Sequence, residues 1–185
     1  LIVKAMRSGA REFIVKPLNV ECLVNAYKTY LRIKNQQLAN ECGIGKIYSV
    51  FGVKGGVGTT TIATNLAVNL AQNSGKNVLL VDLDLQLGTV NLFMNLPTSY
   101  SIVDIAGNLD NLDPFTIKES LPKHESGVSI ISRPSNIEDF ELVTPEHLEK
   151  IFSMLTVIYD YIILDTKSTF SELTLKALDI ADIVL

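Results

Sequence analysis

The sequence predicts an α/β chain built on a parallel β-sheet, and three observations carry that prediction. An apolar, β-branched and aromatic run at 46–51 leads into a glycine-rich loop, Gly52 to Gly58, and then directly into a helical stretch. That helix ends at Ser74 and Gly75, and a second apolar strand follows at 76–82, an order that builds a βαβ crossover and hence parallel strands. The runs 78–81 and 162–164 lack polar alternation, as strands buried on both faces do.

Composition fits this reading. The chain has 185 residues, 47% of them hydrophobic, and a mean hydropathy of +0.27. No apolar run reaches the roughly 18 to 20 residues that span a bilayer. A formal net charge of −4 argues against a non-specific grip on nucleic acid, so no direct nucleic-acid partner is expected. Cys22 and Cys42 lack metal-ligand spacing and read as reduced thiols of a cytoplasmic protein. The chain begins in mid-element, without a signal peptide, and stops inside an apolar strand, so a fragment is expected at both ends.

Residues 1–10 read as the end of a helix closed by Gly9, and 11–17 as a short strand ended by Lys16 and Pro17. A further helix opens at Asn19, a good N-cap, with Glu21 in its first turn and Leu23, Ala26, Tyr27, Tyr30 and Leu31 at helical spacing. The stretch from Ala5 to Pro17 resembles the last helix–strand–helix of a response-regulator receiver domain, which has a flavodoxin-like fold. The resemblance implies that Lys16 touches a phosphorylated aspartate lying upstream of this chain. A lysine that merely caps a strand beside a turn proline is the simpler reading, and the preferred one. Residues 1–36 are thus assigned to the remnant of a receiver-like domain, 37–45 to a linker and 46–185 to the second domain.

The loop of that second domain is the most informative stretch. Glycines let backbone N–H groups turn inward around an anion, and the N-terminus of the following helix adds partial positive charge. The standard phosphate-loop pattern puts lysine after the last glycine; here Thr59 and then Thr60 follow Gly58, and Lys54 stands in front of Gly55 and Gly56 instead. Lys54-Gly-Gly-Val-Gly-Thr-Thr-Thr61 resembles the deviant Walker A motif of the MinD/ParA class of P-loop ATPases. The threonine in place of lysine looks most like the TadZ/CpaE pilus-assembly branch, which also often carries a degenerate receiver-like domain. A tight strand-to-helix connection with no ligand is the alternative for the loop alone.

The strand at 76–82 emerges into Asp82-Leu-Asp84-Leu-Gln86-Leu-Gly88, two carboxylates at the sheet edge where open α/β folds bind ligands. The run is similar to switch I of the same class and, in detail, to that of TadZ/CpaE proteins; an acidic strand cap with solvated side chains is the alternative. Residues 91–111 read as variable surface with a turn at Pro97 and Thr98, 114–120 as a short helix and 127–132 as a strand. His124 is read as solvated. Thr144 and Pro145 open a helix whose buried stripe is Leu148, Ile151, Phe152 and Leu155. His147, in its first turn, is read as a surface histidine. The run 160–165 ends in Asp165 and is similar to a Walker B strand; Thr166 and Lys167 then replace the family's usual proline pair, a departure at switch II. A helix at 170–179 and the start of a strand at 181–185 close the chain.

The resemblance implies a parallel-sheet P-loop NTPase fold and a site for ATP and Mg²⁺. By residue-by-residue match, the backbone of Gly55, Gly56, Val57, Gly58 and Thr59 holds the phosphates and Thr61 touches the α-phosphate. Thr60 and Asp165 hold Mg²⁺, Asp82 supports it or its waters, and Asp84 orients the attacking water. Lys54 crosses a dimer interface to the partner's phosphates. Without the lysine that Thr59 replaces, hydrolysis is expected to be slow, since each 1.4 kcal/mol of lost transition-state stabilisation costs about tenfold in rate. The expected protein is an ATP-gated homodimer that positions a type IV (Flp/Tad) pilus secretion machine at a cell pole, reaching the inner membrane through its partners. A non-hydrolysing scaffold of the same fold and a partition or division-site ATPase remain the alternatives.

Overall fold

The structure, a computed structural model, describes residues 44–185 except Asp110 (for Ile137 the backbone only), together with Val20, Cys22 and Val24. The chain divides between Gly43 and Ile44. The receiver-like assignment, Lys16 and Cys42 lie outside the described residues.

Five parallel strands form one sheet in the order β3-β2-β4-β1-β5, with β1 at Lys46–Val50, β2 at Val78–Asp82, β3 at Ser129–Ile131, β4 at Tyr161–Asp165 and β5 at Ile183–Val184. The consequence for the site lies in the middle of that order. β4 inserts between β1 and β2, so the loops leaving all three strands converge at their C-terminal ends. Register fixes the meeting point: Asp165 pairs with Val50 on one side and with Asp82 on the other. Open parallel sheets bind ligands at such points of changed strand order.

Both faces of the sheet are covered, which explains why the strands are continuously apolar. Leu79, Val81, Ile162 and Leu164 face one core, packed by Leu148, Ile151, Phe152 and Leu155 of α5 (Pro145–Leu155) and by Ala177 of α6 (Glu172–Asp179). Val78, Leu80 and Ile163 face the other, packed by Ala63 and Ala67 of α1 (Thr59–Ser74). Two alanines at the contact let α1 approach the sheet closely, and Gly75, left-handed at φ 65°, ends it. The helix expected at 114–120 is α4, Pro114–Ser120, capped by Asp113.

Three expectations need correction. Residues 91–111 are not all surface: α2 (Val90–Phe93) and α3 (Ile102–Ala106) lie within or overlap them, and Ile102 and Ile105 are fully buried. The short α3 is stabilised by a capping box in which Asp104 accepts hydrogen bonds from the Ser101 N–H and hydroxyl, both at 2.7 Å. His124 is half-buried, its Nδ1 lying 2.8 Å from the Ser126 hydroxyl and tying the turn before β3. His147 has a partner too: its Nδ1 accepts from the Thr144 N–H at 3.3 Å while its own N–H donates to the Thr144 hydroxyl, so the pair closes the N-terminus of α5.

Candidate functional site

At the C-terminal ends of β1, β2 and β4 the structure holds a cavity of about 300 Å³, walled by Gly56, Gly58, Thr59, Thr60 and Thr61 on one side. Asp84, Leu87, Gly88 and Thr89 contribute on the second side and Asp165, Thr166 and Lys167 on the third. The glycine loop takes the form its sequence requires. Gly56 and Gly58 have φ values of 79° and 94°, a region that glycine enters without strain. Gly52 is needed for another reason: a Cβ there would lie 2.6 Å from both the Thr59 hydroxyl and a Val57 methyl.

The start of α1 is chemically open. Gly58 occupies its N-cap with no side-chain cap and no acidic residue in the first turn. By contrast, α4, α5 and α6 are capped by the side chains of Asp113, Thr144 and Ser171. The first N–H groups of a helix have no intrahelical acceptor and attract anions. Here they border the cavity.

Opposite them, the Thr60 hydroxyl donates to Asp165 Oδ2 at 2.7 Å. Asp165 Oδ1 is buried and has no hydrogen-bond partner. Burial, together with the nearby Asp84 charge, pushes the Asp165 carboxyl up to about 6, against the Thr60 bond that favours its ionised form. A hydroxyl and a desolvated carboxylate with one free oxygen suit a hard divalent cation. Among the described residues no three His, Cys, Asp or Glu side chains gather as a metal cage. Mg²⁺ needs none, since it keeps several waters and takes one or two carboxylates plus phosphate oxygens. The residues present therefore fit Mg²⁺ with a polyphosphate.

Asp82 lies directly opposite Asp165 on the neighbouring strand, wholly buried. Its two oxygens accept from the Asp84 N–H at 3.2 Å and the Val90 N–H at 3.1 Å, which fixes the loop between β2 and α2. Gly88 packs against this carboxyl so closely that any Cβ would overlap it. The Arg133 Nε–H donates to the Gly88 carbonyl at 3.0 Å and holds the loop from the end of β3. Asp84, half-buried on the cavity wall, accepts from the Leu87 N–H at 3.1 Å. Lys54 is exposed and is not part of the wall.

Two residues to which the motifs gave no chemical role belong to the site. Lys167 lines the cavity, and its ammonium donates to Gln86 Oε1 at 2.6 Å, joining the loops after β2 and β4. Arg133 is the other. The signal for Lys167 was its position two residues past the strand-ending Asp165, on the loop that lines such a site.

Burial pushes the Asp82 carboxyl up to about 7, with the charges of Asp165 and Asp84 adding to the shift. A carboxyl whose folded value is raised contributes stability that is full below its unfolded value of 3.8 and lost as pH rises through about 7. Without nucleotide and Mg²⁺, the thermal midpoint is therefore expected to fall between pH 5 and pH 8. The slope from one such group is at most ~1.4 kcal/mol per pH unit. Asp82→Asn should flatten it in thermal unfolding followed across that range; an unchanged slope would mean that Asp82 is not its source.

Comparison with known proteins agrees with this geometry. A family model described as an AAA domain matches residues 45–185. The septum site-determining protein MinD of Thermotoga maritima is 32% identical over 126 residues, 66% of this chain and 44% of that protein. The solved structure of a ParA family ATPase from Chlorobium tepidum superposes with a TM-score of 0.70 at 25% identity, over 75% of this chain and 58% of that one. The septum site-determining MinD of Pyrococcus horikoshii, complexed with Mg-ADP, has a TM-score of 0.65 at 24% identity over 76% of this chain and 56% of that one, a likeness of fold. The chain spans about half the length of the curated relatives it matches. Among the described residues no helix is long and apolar enough to cross a membrane. This chain belongs to the AAA-domain family, in its MinD/ParA class of P-loop ATPases.

Proposed function

We propose that the chain is the nucleotide-binding part of an ATP-gated homodimer that hydrolyses ATP slowly and acts as a localisation and assembly factor. The observation that carries the reading is the Thr60–Asp165 contact at the mouth of an uncapped helix, with Asp165 lining the cavity and its buried Oδ1 without a hydrogen-bond partner. Gly55 to Thr59 would hold phosphate oxygens through their N–H groups, and Thr61 the α-phosphate. Thr60 and Asp165 would hold Mg²⁺, whose contribution when bound is to offset phosphate charge. Asp82 would act from behind, since its carboxyl pins the loop that presents Asp84, and Asp84 would orient water. Lys54, exposed and off the cavity wall, suits a role across a dimer interface.

The pilus-assembly role is supported by Thr59 in place of lysine and by the Asp82-Leu-Asp84-Leu-Gln86 run. It would place the protein in the cytoplasm at a pole, near the inner membrane through partner proteins of a Flp/Tad secretion machine. A partition or division-site role is the second reading, favoured by the similarity to MinD and ParA proteins. Sedimentation without nucleotide, with ADP and with ATP–Mg²⁺, alongside phosphate release, tests the gated dimer. ATP-dependent dimers that are lost in Lys54→Ala, with little phosphate released, are expected. One mass in every nucleotide state would overturn the reading.

A further inference from the structure

A polyphosphate in this cavity would meet two carboxylates, Asp84 and Asp165, and no lysine from the glycine loop, because Thr59 stands at that position. Lys54 is exposed and absent from the wall. Among the described residues one cationic residue nevertheless lines the wall, Lys167. Lys167 is half-buried, two residues beyond Asp165, on the loop after the strand that separates β1 from β2.

We infer that Lys167 is the in-subunit phosphate-binding cation of this protein, replacing the absent loop lysine from the opposite wall and engaging the terminal phosphate of a nucleoside triphosphate. The inference rests on the nucleotide reading above. Its physical basis is charge and reach. An anion enclosed beside two carboxylates requires a compensating cation, and a charge-assisted N–H···O bond is about twice as strong as a neutral one. Lysine offers three rotatable donors on a flexible four-carbon stem, so a shift of partner requires only side-chain rotation.

The present partner of Lys167 is neutral. Gln86 Oε1 accepts from it at 2.6 Å, and Gln86 sits on the loop that Asp82 and Arg133 secure. A phosphate oxygen, carrying charge, competes well against an amide oxygen for the same ammonium. Lys167 therefore exchanges Gln86 for phosphate when a triphosphate binds, which frees Gln86 and uncouples the loops after β2 and β4. A diphosphate lacks the terminal group and leaves the Lys167–Gln86 bond in place. The two loops thus distinguish the nucleotides through one side chain.

The test is a calorimetric titration of the full chain with ATPγS and with ADP, each with Mg²⁺, after thermal unfolding has verified that each variant folds. Lys167→Ala is expected to lower ATPγS affinity about tenfold, a change of about 1.4 kcal/mol, while ADP affinity changes by less than about twofold. Lys167→Arg should retain most of the ATPγS affinity. Adding Thr59→Lys to Lys167→Ala should restore it, because a lysine then returns to the loop. Unchanged ATPγS affinity in Lys167→Ala, or equal losses for both nucleotides, would overturn the assignment while leaving the nucleotide site intact. Failure of the unmodified chain to bind either nucleotide would instead overturn the nucleotide reading itself.

Discussion

Asp165→Asn is expected to remove most Mg²⁺-dependent affinity for ATP, on the order of 100-fold or about 2.8 kcal/mol, without destabilising the nucleotide-free fold. Both halves of that expectation come from the same geometry. The asparagine carbonyl can still accept from the Thr60 hydroxyl, so the 2.7 Å contact has a partner in the variant. What disappears is the charge on a buried group whose free Oδ1 has no other partner. In the nucleotide-free protein that charge is a cost at neutral pH, because burial and Asp84 push the Asp165 carboxyl up to about 6. Removing it offsets the cost, about 1–3 kcal/mol, of the amide NH₂ left without a partner where Oδ1 stood, so the melting midpoint at pH 8 should stay close to that of the parent. Calorimetry gives the affinity and thermal unfolding the stability. A variant that loses both together would assign Asp165 to the fold rather than to a metal.

Gly88→Ala should have the next largest effect, on stability and on nucleotide affinity at once. A Cβ at Gly88 overlaps the Asp82 carboxyl, which cannot turn away without releasing the Asp84 and Val90 N–H groups. Overpacking a buried position costs about 1–3 kcal/mol, and an unpaired buried donor costs about 1–3 kcal/mol more. The displaced loop carries Asp84 and Gln86, so the cavity wall shifts with it. Denaturant unfolding should show a lower midpoint with an unchanged slope, and nucleotide affinity should fall in parallel. Neighbouring Leu87 is exposed, with its side chain outside the overlap, so Leu87→Ala should leave stability nearly unchanged.

The sheet was legible in the sequence because parallel strands buried on both faces leave a plain mark. Val78 to Val81 and Ile162 to Leu164 could hardly serve any other element, and each strand ends at an aspartate where the structure ends it. The stripe on α5 was equally readable, since Leu148, Ile151, Phe152 and Leu155 follow the helical period. The two shortest helices were not. Val90–Phe93 and Ile102–Ala106 are too brief for a period to emerge, and each depends on tertiary contacts or a cap. The histidines were misread for a related reason: His124 and His147 work through local turns and caps, which depend on backbone geometry that composition does not reveal. Lys167 and Arg133 escaped because their role exists only where separate loops meet. Strand order decides that meeting, and no local stretch of sequence states it.

On this reading the cavity at the ends of β1, β2 and β4 holds Mg²⁺ and a nucleotide together. Titration calorimetry of the unmodified chain with ATP, with Mg²⁺ present and then replaced by EDTA, decides whether it does. Saturable one-to-one binding that weakens sharply on removal of Mg²⁺ is the predicted result. No heat of binding in either condition, from protein whose thermal transition shows it to be folded, would contradict it.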